Sequence, residues 1–179
     1  FTEPHGLMIL RHGKVCAEGW WSPYAPGIRH GLQSLSKTYA ATAVGIACTE
    51  GILRLDEPVS AIFPAEMPKE VSVNLGKMTV RDVLCMGTGM ETMPRPSANW
   101  IRDFLATPVL HEPGSAFFYN STGSTLLAAM VRRRSGETLK QYLTKRLFDK
   151  IGIDAENFLM TTMPDGTEVG GGGSFATTE

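Results

Sequence analysis

The spacing of hydrophobic positions changes several times along the chain, and each change predicts an element. Residues 7–21 hold two apolar runs about a Gly-containing turn. Leu7-Met8-Ile9-Leu10 comes first, Arg11-His12-Gly13-Lys14 turns, and a second run goes from Val15 toward Trp21. That pattern predicts a β-hairpin. Pro23, Pro26, Gly27 and Gly31 predict a loop over 22–31. From Ser34 to about Glu50 the period becomes helical, with Ala40, Val44, Ala47 and Cys48 on one side. Gly51 then fits the left-handed position past a helix end. The many small residues of this stretch predict a helix packed closely on several sides.

Pro58, Pro64 and Pro68 break any long element over 51–70. Thr79 is placed to cap a short helix running to Met86, which Gly87 and Gly89 end. A Met- and Pro-rich loop follows from Gly89 to Ser97, and Trp100 to Leu105 reads as a helix. Residues 111–121 read as loop. Two further helices are predicted, from about Gly123 to Arg134 and from about Leu139 to Lys150, each with a glycine beyond its end. Five glycines in eight residues then span Gly166 to Gly173. By composition alone such a run suggests a linker.

Composition narrows the partners. The 179 residues are 42% hydrophobic and 20% charged, as in soluble globular domains, and make one domain of ordinary size. A net charge of -1 offers nothing to nucleic acid. No apolar run reaches the length of a membrane span. Arg132-Arg133-Arg134 reads as a solvated helix end complementing the helix dipole. Cys16, Cys48 and Cys85 are too scattered for a metal framework or a disulfide pattern. Cys48 and Cys85 read as small buried hydrophobes, and unpaired thiols lean toward a reducing, cytoplasmic compartment. The chain begins at Phe1, without Met or signal-like residues, which leaves a periplasmic or secreted site open. The four histidines show no metal-binding spacing, so neither metal nor cofactor is expected.

Two constellations carry chemistry. Ser34-Leu35-Ser36-Lys37 is an S-x-x-K motif at the head of the first predicted helix. Residues three apart share a helix face, so the Lys37 ammonium can reach the Ser34 hydroxyl. A serine is a weak nucleophile until a neighbour removes its proton, and a desolvated lysine can do so. The Ser34 N–H is a candidate oxyanion donor. A surface capping serine followed by a solvated lysine fits the same four residues. The second constellation is Tyr119-Asn120-Ser121, before a helix. Tyr119 can shuttle a proton when an ammonium lowers its pKa, and Ser121 can bond to lysine or substrate. Alternatively Tyr119 only packs its ring, and Ser121 or Thr122 caps the helix.

Together with "GLMILRHGKVCAEGWW", "HGLQSLSKTYAATAVGIACTEGILRLDEPVSAIFP", "MTVRDVLCMGTGM", "HEPGSAFFYNSTGSTLLAAMVRRRSGETLKQYLTKRLFDKIGI" and "GGGGSFATTE", these motifs resemble the serine β-lactamase-related, penicillin-binding-protein-like family. That family includes class C β-lactamases, esterases, alkaline D-peptidases and 6-aminohexanoate-dimer hydrolases. The resemblance implies an α+β fold, an antiparallel sheet flanked by helices plus an all-helical region, with the active site between them. Residues 1–54 would supply the hairpin and nucleophile helix, 55–160 the mostly helical region, and 161–179 a Gly-rich return toward the sheet. It also implies acylation of Ser34, assistance from Lys37 and Tyr119, and substrate binding by Ser121 and Asn120. The Gly-rich run then becomes a tight turn near the site.

The family's third motif, K-T-G or H-x-G on a late strand, is absent from these residues. In the family it supplies a second oxyanion donor, worth about a hundredfold to a thousandfold in rate. A C-terminal segment or a second chain is therefore expected to complete the sheet, whose strands would otherwise leave open edges. Two functions remain at this point. One is a serine hydrolase acting on a small ester or amide: a β-lactam, an ester, a D-peptide or a short linear amide. The other is a non-catalytic binding or assembly protein on the same fold.

Overall fold

The computed structural model describes residues 3–94 and 97–178. The opening hairpin forms as the pattern predicts. Strand β1 (Gly6–Arg11) pairs antiparallel with β2 (Lys14–Trp20), from Gly6 opposite Trp20 to Arg11 opposite Lys14. His12 and Gly13 both take left-handed backbone at the turn, as tight hairpins require. The hairpin leaves Leu7, Ile9, Leu10 and Val15 about half exposed.

A second sheet is built from short, distant pieces. Strand β3 (His30–Gly31) interrupts the predicted loop. The first long helix, α1, covers Ser36–Thr49. Short helices α2 (Val59–Ile62), α3 (Val73–Lys77) and α4 (Val80–Leu84) follow, then α5 (Trp100–Ala106) and α6 (Ser121–Ser135). Thr79 caps α4 in a reciprocal box with Asp82. The Met- and Pro-rich loop before α5 lies partly outside the described residues, at 95–96. The last predicted helix has three parts. Helix α7 (Leu139–Leu143) passes through a wider turn at Thr144–Phe148 into α8 (Asp149–Ile151). Strands β4 (Leu159–Met160) and β5 (Ser174–Ala176) are the last elements among the described residues. β5 lies between β3 and β4, antiparallel to both.

One helix is buried on every side, and it is α6 rather than α1. Its residues from Gly123 to Val131 are all buried. Helix α1 buries only Ser36, Ala40, Ala43, Val44 and Ala47, and leaves Thr38 and Gly45 exposed. The two helices pack on each other. Small residues on both allow close approach, and Trp100, Phe63, Phe104, Tyr142, Phe148 and Phe158 fill the remaining core.

Three readings of single residues change. Cys85 is exposed, not buried, because it sits just past α4, and Cys48 is only half-buried. The arginine run is anchored rather than merely solvated. Arg132 donates to the Asp165 carbonyl at 2.9 Å, Arg133 pairs with Glu66 at 2.7 Å, and Arg134 pairs with Glu57. Neither Ser121 nor Thr122 caps α6. Asn120 does, its side-chain oxygen accepting from the Gly123 N–H at 2.8 Å. Among the described residues no helix is long and apolar enough to cross a membrane.

Candidate active site

Ser34 does not lie in α1 itself. It occupies a single 3₁₀ turn, Gln33–Leu35, that leads into the helix. In a 3₁₀ turn residues three apart eclipse each other, and Lys37 Nζ donates to Ser34 Oγ at 3.0 Å. The turn is clipped to β5 at two points. The Leu32 N–H donates to the Ser174 carbonyl at 2.9 Å, and the Ser174 N–H donates to Ser36 Oγ at 3.1 Å. Gln33 is forced into left-handed backbone (φ 48°) between them. That is an uncommon, costly conformation for a side-chain-bearing residue. It marks the turn as held by its surroundings.

Tyr119 arrives from 85 residues away, and its hydroxyl is in hydrogen-bond contact with Ser34 Oγ. Phe118 fixes the approach by donating its N–H to the Met86 carbonyl at 2.9 Å, and the Asn120 cap fixes the exit. Lys37 Nζ stands 4.8 Å from the centre of the Tyr119 ring. The Lys37 side chain, then the hydroxyls of Ser34 and Ser121, hold the Tyr119 phenol below its ordinary pKa. The phenol is about half exposed.

The Gly-rich run is part of this cluster. Lys37 Nζ also donates to the Gly171 carbonyl. A side chain at Gly170, Gly171 or Gly173 would block its path. A β-carbon at Gly170 would lie 2.7 Å from the Ser124 carbonyl oxygen and 3.0 Å from the Ala40 β-carbon. Glycine thus lets the turn wedge between α1 and α6. The acceptor at Gly171 and the clip at Ser36 were not singled out from the sequence. The run of glycines was their only signal, and it could not show which carbonyl meets the lysine.

Ser34, Lys37, Tyr119 and Ser121 are brought together. Asn120 is put to another use. It is buried, its oxygen caps α6, and its amide nitrogen faces Met90 Sδ at 3.8 Å. Both of its polar groups point into the fold, where they serve the helix end and the Met90 contact. No cluster of three or more metal-ligating side chains occurs among the described residues.

A family model described as Beta-lactamase matches residues 6–158. The chain belongs to the Beta-lactamase family. A curated relative, 6-aminohexanoate-dimer hydrolase of Paenarthrobacter ureafaciens, is 26% identical over 174 residues. That match covers 87% of this chain and 44% of the relative. A solved structure described as "Putative 6-aminohexanoate-dimer hydrolase from Bacillus anthracis" superposes with a TM-score of 0.81 at 20% identity. It covers 97% of this chain and 51% of that one. The octameric penicillin-binding protein homologue from Pyrococcus abyssi gives 0.77 at 19% identity, covering 97% and 50%. These structures show the Beta-lactamase family fold, α+β with small antiparallel sheets. This chain spans about half the length of the relatives it matches.

Proposed function

We propose that this chain carries the nucleophilic part of an acyl-serine hydrolase site. Ser34 is the nucleophile, Tyr119 the proton carrier, and Lys37 the group that stabilises the Tyr119 phenolate. The observation that carries this is the three-way contact of Ser34, Lys37 and Tyr119, made across 85 residues of chain. Ser34 Oγ bonds to an ester or amide carbonyl carbon as its proton passes to Tyr119 Oη. The bond to the leaving oxygen or nitrogen breaks, and that atom takes the proton from Tyr119. Water then attacks the acyl carbon and gives a proton to Tyr119, and Ser34 leaves and regains it. The steps balance with water alone. The chain spans about half the length of its relatives, and in this reading the second oxyanion donor comes from outside these residues.

The curated 6-aminohexanoate-dimer hydrolase relative supports a carboxylic amide or ester as the substrate class. The test is labelling of the purified protein with a fluorophosphonate probe, followed by peptide mapping. The expected adduct is on Ser34, absent in Ser34→Ala and slowed in Tyr119→Phe. A folded protein with no adduct on Ser34 overturns the reading and leaves the binding-protein alternative.

A further inference from the structure

A cavity of about 230 Å³ opens between the start of α6 and the Gly-rich turn that receives the Lys37 ammonium. Ser121 and Gly171 are among its lining residues and tie it to the cluster already described: Ser121 lies two residues after Tyr119, and the Gly171 carbonyl accepts from Lys37. Its apolar walls include Trp100, Met163 and Val169. Thr125 also lines it, with its hydroxyl engaged by the Ser121 carbonyl at 3.2 Å. No charged side chain is among its described walls. The volume is below the roughly 300–1,000 Å³ of sites that hold a whole drug-sized ligand. It suits one substituent of a substrate.

We propose that this cavity is the acyl-side specificity pocket, taking an uncharged aliphatic acyl chain. The assignment of the chain's direction rests on the acyl-serine reading above. Tyr119 must meet the leaving atom, and Tyr119 is not a wall of the cavity, so the cavity receives the other side of the scissile bond. An acyl chain ending in an ammonium or carboxylate would bury that charge in a mostly apolar lining whose described residues carry no counter-charge. Each methylene taken from water into the pocket is worth about fourfold in binding.

The test has two arms on the same purified protein. In the first, kcat/KM is measured for p-nitrophenyl acetate, butanoate, hexanoate and 6-aminohexanoate. The expected result is a rise of about fourfold per methylene to butanoate and beyond. The 6-aminohexanoate ester falls below the hexanoate ester, and Val169→Phe abolishes the preference for long chains. In the second arm, hexanamide is titrated into protein carrying 13C-methyl methionine, with or without the Ser34→Ala change. The Met163 methyl resonance, assigned by Met163→Leu, shifts with hexanamide and not with acetamide. A flat chain-length profile in protein that labels on Ser34 overturns the pocket and spares the catalytic reading. An unmoved Met163 methyl overturns the pocket whatever the activity, including the case in which another segment of a longer protein fills it. A shifted methyl in protein that does not label keeps the pocket and overturns the catalytic reading.

Discussion

Gly171 offers the sharpest separation of steric from chemical roles. A β-carbon there would stand 2.2 Å from the Ser121 carbonyl oxygen, 3.0 Å from its carbon and 3.2 Å from the Ser121 β-carbon. Two of these are main-chain atoms in the first turn of α6, which cannot swing aside. Ordinary contact begins at 3.4 Å, so the turn and α6 must separate by roughly 1 Å, a misplacement that can cost about a hundredfold in rate. Gly171→Ala therefore shifts both the carbonyl that receives the Lys37 ammonium and the residue beside Tyr119. Fluorophosphonate labelling of Ser34 should slow by about that factor. Overpacking of this kind costs about 1–3 kcal/mol. In a domain of this size that lowers the unfolding temperature by about 2–4 °C per kcal/mol. Gly172→Ala is the control for stability. Its β-carbon would meet nothing nearer than the Gln33 carbonyl oxygen at 3.7 Å. It should leave the unfolding temperature unchanged or raise it, because alanine restricts the unfolded chain by about 0.4–1 kcal/mol. The reasoning fails if Gly171→Ala labels and melts like the parent, or if Gly172→Ala melts as early as Gly171→Ala.

Three further outcomes can be checked. Tyr119 titrates below the ordinary phenol value near 10 because of Lys37 and its hydroxyl neighbours. Labelling should therefore rise with pH and reach half its maximum below about pH 10. In Lys37→Met the phenolate absorbance assigned to Tyr119, by difference from Tyr119→Phe, should move upward in pH; an unmoved midpoint contradicts the assigned cause. Asn120→Ala removes the α6 cap and should cost about 1–2 kcal/mol in urea unfolding, with Asn120→Asp losing less. Equal losses would show that the cap is not what matters. Glu50 is held below the usual carboxyl range, first by the Tyr142 hydroxyl and then by Arg146. A carboxyl lowered on folding contributes stability above its unfolded pKa and loses it as pH falls through the folded one. Glu50→Gln should accordingly flatten the fall in unfolding temperature between about pH 5 and about pH 3, and an equally steep fall would refute it.

Local elements were legible where one stretch of sequence suffices to specify them. The hairpin, α4 with its Thr79 cap, α5, and the glycine stops at Gly136 and Gly152 all depend on neighbours within a turn or two. The partners of the arginine run were not legible, since Glu57 and Glu66 are brought to it only by packing of α2 and its loop against α6. Cys85 looked buried because its neighbours are apolar, yet the turn after α4 points it outward. The two-residue strands β3 and β4 carry no period of their own and exist because β5 lies between them. At the site, the S-x-x-K spacing announced Ser34 with Lys37, and the tyrosine motif announced Tyr119. Asn120 belonged to the same motif, but its side chain closes a helix end.

By itself the sequence determined which chemical groups were candidates for the site and most of the local elements that present them. Spacing of three along one turn suffices to set Lys37 beside Ser34, and family-like segments in order mark the fold. Only the tertiary structure decided which groups converge and which do not. Tyr119 meets Ser34 because α6 packs against α1, and Gly171 meets Lys37 because glycines let a distant turn wedge between those helices. The physical reason is range. Capping, turns and periodicity act between residues close in the chain, whereas these contacts are set by which side chains are small enough for two helices and a turn to share one space.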